Sequence, residues 1–377
     1  MKVHSLLLGS MLVSSLAAAC AVDGASTDET VASQTDALQG GNAVERGKKL
    51  FDKETFGGNG RTCSTCHAGD TGTLSLADIN HKSANDPLFA AIDSDDGTGN
   101  SYNRLRSEGT FRITVPLAAN VRLADDPSAR SVDVFRAAPT TNDTPSLDPV
   151  LMSDGRSPDL QAQAVGAVNA HFQPKVQPTS QQLLDIATYE RSLFSSPLLR
   201  AFANGKKTST VPTGNTASEK RGRAFFDTGA CGFCHSDVSG AGPGPLLNGA
   251  NVDNTQPDLF LRFAPLWAGE NEERVHPAHT FIVTSPDGSE TTITAADPGR
   301  VLISGDPLEA FAFKIPNLRN VKKTAPYFHD NSAKSLGDVL NHYNVVFKNP
   351  DFIAIFGEFP QLSAQDKTDL TAYLNLL

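Results

Sequence analysis

A chain of 377 residues, 39% apolar and 20% charged, has the length for two domains, each able to bury a core. Its composition, with 30 Gly and 23 Pro, excludes collagen, a coiled coil and wholesale disorder. A formal net charge of −10 excludes nucleic acid as the main partner, because phosphate recognition needs clustered Lys and Arg; it suits an acidic protein that attracts a basic one.

At the start, Lys2 and His4 precede an apolar run from Leu6 to Ala19, broken by Gly9, Ser10, Ser14 and Ser15. Residues 1–19 read as a secretory signal peptide, too short to span a bilayer as a helix. Cys20 follows Ala17-Ala18-Ala19 and resembles in position the lipidated cysteine of bacterial lipoproteins, although Ala17 stands where that class usually has Leu. Ordinary cleavage near Ala19 or Ala21, leaving no anchor, is the alternative. Residues 20–42 are small and polar, as expected of a flexible tether. No later segment is apolar enough to span a membrane, so the expected product is periplasmic, free or lipid-anchored.

The next elements come in two rounds. Glu45-Arg46-Gly47-Lys48-Lys49-Leu50-Phe51-Asp52 predicts a helix leading to Cys63-Ser-Thr-Cys66-His67. Residues 70–135 form an insertion with an acidic turn (Asp93, Asp95, Asp96), read as a solvated loop with a cation site as the alternative. The alternating segment Phe111-Arg-Ile113-Thr-Val115 predicts a short strand. A helix is expected over Asp159–Ala170, and another from Ser180 to Phe194. Gly205 to Asn215 is a linker. Then Lys220-Arg221-Gly222-Arg223-Ala224-Phe225-Phe226-Asp227 repeats the first helix, leading to Cys231-Gly-Phe-Cys234-His235. Phe281–Thr284 and Thr291–Thr294, around Gly288, predict a hairpin, and Ser363–Leu377 a closing helix in which Asp369-Leu-Thr-Ala-Tyr373 echoes Asp185-Ile-Ala-Thr-Tyr189.

Cys-x-x-Cys-His is the attachment signature of c-type haem: two thiols add to the vinyl groups and the adjacent imidazole ligates the iron. One copy alone also fits a redox dithiol or half a zinc site. Two copies about 170 residues apart, each with its His, in an exported chain, fit two covalent haems; a shared Cys₄ zinc site needs no such His. A first helix crossing a last helix over one haem is the cytochrome c plan. The expected fold is therefore mainly α: two tandem cytochrome c domains, 43–205 and 216–377, each with one covalent haem and short β insertions.

Phe313-Lys-Ile-Pro-Asn-Leu-Arg-Asn-Val-Lys-Lys-Thr-Ala-Pro-Tyr-Phe-His-Asp330, followed by Ser335-Leu-Gly-Asp-Val-Leu-Asn-His-Tyr343, resembles the second domain of the bacterial dihaem cytochrome c peroxidases, a group that includes MauG. Asp154-Gly155-Arg156 with Leu160-Gln-Ala-Gln163-Ala is similar to that family's active-site helix. The resemblance implies a peroxide site at the first haem and electron entry at the second. There the family's distal ligand is Met in the classical peroxidases and Tyr in the MauG-like branch, and Tyr343 falls at that position. His342 is the alternative ligand, and a core aromatic the structural one. Gln163 matches the pocket Gln. The pocket Glu falls on Gln173, which cannot titrate, while His171 two residues before it can. The expectation is that His171 is the acid–base group or a distal ligand that closes the haem.

Other positions carry weaker implications. His81 is the only His between the first motif and that helix, and Met152 is either a core residue or within reach of the first iron. The family usually has Trp before Asp-Gly-Arg; here Ser153 stands there and the only Trp is Trp267. Arg156 is expected to pair with a haem propionate or a carboxylate. Thr324 and Pro326 match carbonyl ligands of the family's calcium, with Ala137 where its Asn would be.

Three functions follow. The first is a periplasmic peroxidase that reduces hydrogen peroxide to water with electrons from a small cytochrome c or cupredoxin. The second is a MauG-like enzyme that oxidises a protein or organic substrate; the third is a dihaem electron carrier without catalysis. The resemblance also allows a homodimer.

Overall fold

The computed structural model describes residues 28–148, 151–206, 212–228, 230–235, 263–265 and 276–377. The segment read as a signal peptide, Cys20, part of the predicted linker and Trp267 lie outside the described residues. Two units divide the chain, Met1–Gly41 and Asn42–Leu377. In the first, helical backbone begins at Asp28, because α1 (Asp28–Lys53) starts inside the segment read as a tether.

In the second unit the local signals for the longer helices are caps. Asp159 accepts from Ala162 N at the start of α2 (Leu160–His171), and a Thr179–Gln182 capping box opens α3 (Ser180–Glu190). Thr216 and Glu219 exchange hydrogen bonds before α4 (Ala217–Thr228). Ser335 with Asp338 and Ser363 with Asp366 do the same for α5 (Leu336–Val346) and α6 (Ala364–Leu374). Among the described residues, no helix is long and apolar enough to cross a membrane.

The same crossing is built in both halves. Arg46 donates to both carboxylate oxygens of Asp185, at 2.7 and 2.8 Å, and Arg221 to both of Asp369 at the same distances. Phe51 packs edge-on against Tyr189 at 5.2 Å, and Phe226 packs against Tyr373 at 5.5 Å. Helix backbones meet at a glycine each time. A Cβ on Gly47 would lie 1.9 Å from the Asp185 carbonyl oxygen, and one on Gly222 would lie 2.0 Å from that of Asp369. The Arg-Gly pair noted twice in the sequence is thus a clamp followed by a close approach.

The insertions fold together. β1 (Thr110–Pro116) pairs antiparallel with β3 (Ser131–Ala137), from Thr110 opposite Ala137 to Pro116 opposite Ser131. β2 (Val121–Leu123) of the first half pairs with β5 (His279–Thr284) of the second, and β5 with β6 (Glu290–Ala295), the predicted hairpin. β4 (Phe263–Pro265) pairs with β7 (Ala312–Lys314). Phe111, Ile113, Val115, Val132, Val134, Phe281, Val283, Val301 and Leu302 form one core drawn from both halves. A second core (Phe226, Leu336, Leu340, Leu370, Tyr373) belongs to α4, α5 and α6, and a third (Phe51, Ala164, Val168, Ile186) to α1, α2 and α3.

Replacing Gly222 with Ala forces α4 and α6 apart. The expected cost is about 1–3 kcal/mol, read as a lower midpoint in urea unfolding with little change in slope. An unchanged midpoint would mean that the helices separate freely.

Candidate haem sites

Cys63 and Cys66 sit on a single helical turn, Cys63–Cys66, opened by a Thr62–Thr65 capping box, so both half-buried sulfurs project from one short element. Cys231 and Cys234 lie on the turn Ala230–His235. All four are unbridged thiols. Burial pushes Cys66 and Cys234 up to about 11 and Cys231 up to about 12, and it raises Cys63 further, helped by Glu190. Such thiols add to a double bond only once a bound partner or an assembly factor activates them.

The adjacent imidazoles are prepared as neutral ligands. His67 Nδ1 donates to the Gly72 carbonyl at 3.0 Å, which leaves Nε2 for a metal. Burial lowers the His67 pKa, against the opposing pull of the Gly72 and Pro139 backbone. Burial takes His235 down to about 4, against the pull of Pro316. Paired thiols beside a neutral imidazole are the donor set of haem c, and the described residues contain no cluster of three or more His, Cys, Asp or Glu that could hold a bare metal ion.

Around the first site, α2 carries Gln163, Ala167 and His171 at four-residue spacing, hence on one face, with Gln163 and His171 about 12 Å apart along the axis. His171 Nδ1 is buried without a hydrogen-bond partner. Burial lowers this imidazole to about 4; Asp93 opposes the shift, while Arg61, Arg156 and His67 add to it. Gln173 is exposed, with φ +51°, and its Oε1 accepts from Asn59 Nδ2 at 3.2 Å. Gln163 and His171 lie on one face of α2, and Gln173 is turned outward.

Asp93 corrects the solvated-turn reading. It is fully buried and paired with the equally buried Arg61 at 2.5 Å, and it accepts from Arg112 N. Asp95 and Asp96 bind their own loop, through Ser101 and the Asn103 and Arg104 amides, and through Ser94 and the Thr98 and Gly99 amides. Arg61, two residues before Cys63, was legible only as part of a pair that the turn concealed. His81 is exposed, on the rim of a 730 Å³ cleft also lined by Asp70, Asp78, Lys82 and Lys323. Met152 has φ +69° in the turn before α2.

Around the second site, Tyr343 packs against the same core as Cys231, and its hydroxyl is raised far above its ordinary value by burial and by the Cys231 and Cys234 thiols. His342 packs edge-on to Phe328 at 4.9 Å. Thr324 closes a turn onto the Val321 carbonyl, and the Ala325–Pro326 bond is cis.

The halves meet through a crossed pair of backbone bonds. Ala137 N donates to the His329 carbonyl and Lys314 N to the Ser153 carbonyl, both at 2.7 Å. The two acceptors lie in matching turns: Leu151 bridges Ser157 as Tyr327 bridges Ala333, with Met152 and Phe328 both near φ +70°. Arg136 cements this junction, donating to both oxygens of Asp297 at 2.7 and 2.9 Å and to Asp154 at 2.5 Å. Arg156 pairs with Asp154 at 2.8 Å, so its predicted carboxylate partner lies in its own motif. Arg136 and Asp297 were missed in the sequence, where 161 residues separate them.

No protein-family model matches the chain. It is 30% identical over 200 residues to cytochrome-c peroxidase IdrP1 of Pseudomonas sp. (strain SCT), covering 51% of this chain and 48% of that one. It is 29% identical over 168 residues to cytochrome-c peroxidase IdrP2 of Denitromonas iodatirespirans, covering 43% and 40%. Over about half its length the chain is thus similar to bacterial cytochrome-c peroxidases. It spans about half the length of the curated relatives it matches. The fold is also that of a MauG-like protein associated with microbial copper homeostasis, with a TM-score of 0.50, 18% identity, and 89% and 87% of the two chains covered.

Two outcomes are expected. If both motifs attach haem, changing Cys63 and Cys66 to Ala should lower the count from two covalent haems per chain to one, read by alkaline pyridine spectra; two in both proteins would refute the first attachment site. Burial raises the Asp297 pKa, but Arg136 and its hydrogen bonds outweigh it and bring the group to about 2, below an unfolded value of about 3.9. Its contribution to stability is therefore full above about pH 4 and fades as pH falls toward 2. Asp297→Ala should cost about 3–5 kcal/mol at pH 7, with a smaller deficit at pH 2.5, by urea unfolding at each pH.

Proposed function

We propose that the chain is a periplasmic dihaem peroxidase that reduces hydrogen peroxide to water in its first half and takes electrons in through its second. In this reading residues 43–205 and 216–377 are two cytochrome c domains. Cys63, Cys66 and His67 hold one haem, and Cys231, Cys234 and His235 the other. The haem supplies an iron at which peroxide takes up two electrons; the protein supplies the rest.

One observation carries the proposal. In the matched helices α2 and α5, Leu160 corresponds to Leu336, so Ala167 stands where Tyr343 stands and His171 where Phe347 stands. The second half presents a phenol toward its motif, fit to occupy an iron's distal side. The first half presents a methyl group and, one turn further on, an unpartnered imidazole. A small ligand fits beside Ala167, and His171, neutral above about pH 4, takes a proton from one peroxide oxygen and returns it to the other. Gln163 orients the ligand as a hydrogen-bond donor. Thr324 and Pro326 carbonyls are retained as a proposed calcium site, and Cys20 as a proposed lipid anchor. Two single electrons arrive from a small cytochrome c or cupredoxin, a basic one being drawn by the net charge of −10. Tyr343 in place of Met favours oxidised iron, which supports oxidation of a protein or organic substrate as the second reading.

The test is rapid mixing with stoichiometric peroxide from the fully oxidised and the half-reduced protein, followed in the visible. A fast spectral change is expected, slowed about 10²–10⁴-fold in His171→Ala and, in the unaltered protein, constant from pH 7 to 5 but falling as pH approaches 4. No reaction from either state would leave a dihaem electron carrier in which His171 closes the first site.

A further inference from the structure

We infer that the stacked rings of His329 and Phe313 are the electronic junction between the two haem sites. The inference rests on the proposal that both motifs hold haem, and it concerns this chain's own atoms.

The ring centroids lie 3.6 Å apart with planes 13° from parallel, and both side chains are buried. On one side, His67 Nδ1 donates to the Gly72 carbonyl, which also accepts from Thr141 N. From Thr141 the backbone runs four residues to Ala137, whose N–H donates to the His329 carbonyl. On the other side, Phe313 lies three residues before Pro316, whose backbone acts on His235. Covalent bonds and hydrogen bonds thus run from the His67 imidazole to His329, and one ring-to-ring step carries the course into the Phe313–Pro316 segment beside His235. Electron transfer weakens steeply across empty space, so the stacked rings are the element whose loss opens a gap. The matching turn of the first half offers no ring, because Ser153 occupies the place of His329.

The surroundings fix the stack. Lys314 N donates to the Ser153 carbonyl, which holds the residue after Phe313. The Arg136 guanidinium lies 5.8 Å from the Phe313 ring centroid, and an Asp297 oxygen lies 3.7 Å from His329 Nε2. In the transfer, one electron leaves the reduced iron of the second site and arrives at the oxidised iron of the first. Neither ring is itself oxidised, and no bond or proton changes hands.

The experiment measures electron exchange between the haems directly in the half-reduced holoprotein, without peroxide, after a light pulse displaces carbon monoxide from reduced iron. It therefore succeeds or fails independently of peroxidase activity, and each variant's two reduction potentials and optical spectra are recorded alongside. In His329→Ala the exchange rate should fall by about tenfold with the potentials unchanged, and His329→Phe, which keeps a ring to stack, should restore it. An unaltered rate in His329→Ala, or a His329→Phe variant as slow as the Ala variant, overturns the inference. If His329→Ala does not fold, Phe313→Leu fills the same space without a ring. It should show the same loss, and an unaltered rate there overturns the inference equally.

Discussion

Arg136 is the group on which the junction of the two halves depends. Its guanidinium is buried, and its charge persists only because Asp297 and Asp154 are set against it with hydrogen bonds from three nitrogens. Isolated in that interior the charge would be untenable, and either carboxylate without it would carry the full desolvation penalty. The position of the pair has consequences in both directions. Arg136 lies on β3, one residue before Ala137 and three before Pro139, so fixing it fixes the backbone that faces His67. Asp154 lies in the turn that launches α2, so the same guanidinium sets the entry angle of the helix carrying Gln163 and His171. Asp297, from the second half, completes the lock; Arg300 adds to it by donating to the Asp154 carbonyl at 2.9 Å.

What was legible in the sequence was what is local. The Cys-x-x-Cys-His pairs, the capped helices and the alternating strand declare themselves within a few residues, because each depends on neighbours along the chain. The Arg-Gly repeat was legible too, and the structure supplies its reason in the contacts with Asp185 and Asp369. The buried ion pairs were hidden. Asp93 looked like part of a solvated turn because two of its three carboxylates do bind their own loop, and only the fold places Arg61 against the third. Gln173 aligned with a pocket position, yet its left-handed backbone turns it outward to Asn59; conformation, not composition, decided that. Arg136 and Asp297 have no sequence signal at all, since their partnership exists only once β2 has paired with β5 and brought the insertions together.

The repeat makes its own exceptions informative. Where two halves share a helix crossing, a clamp and a pair of turns, each position at which they differ is a controlled comparison inside one molecule. Gln163 faces Val339 in that comparison, His171 faces Phe347, and Glu190 faces Leu374. In every case the first half has the polar group and the second the apolar one. Glu190 shows that this polarity need not mean charge: burial carries its carboxyl up to about 8 against the pull of Arg191, so it is protonated at neutral pH. Tyr343 and Ala167 run the other way, the larger group falling in the second half. Polar, titratable groups on one helix face suit proton chemistry. A site packed with aromatics and a phenol suits an iron whose surroundings change little when an electron passes. One scaffold used twice thus carries two differently lined sites, and the crossed bonds at Ala137 and Lys314 keep the two halves in contact.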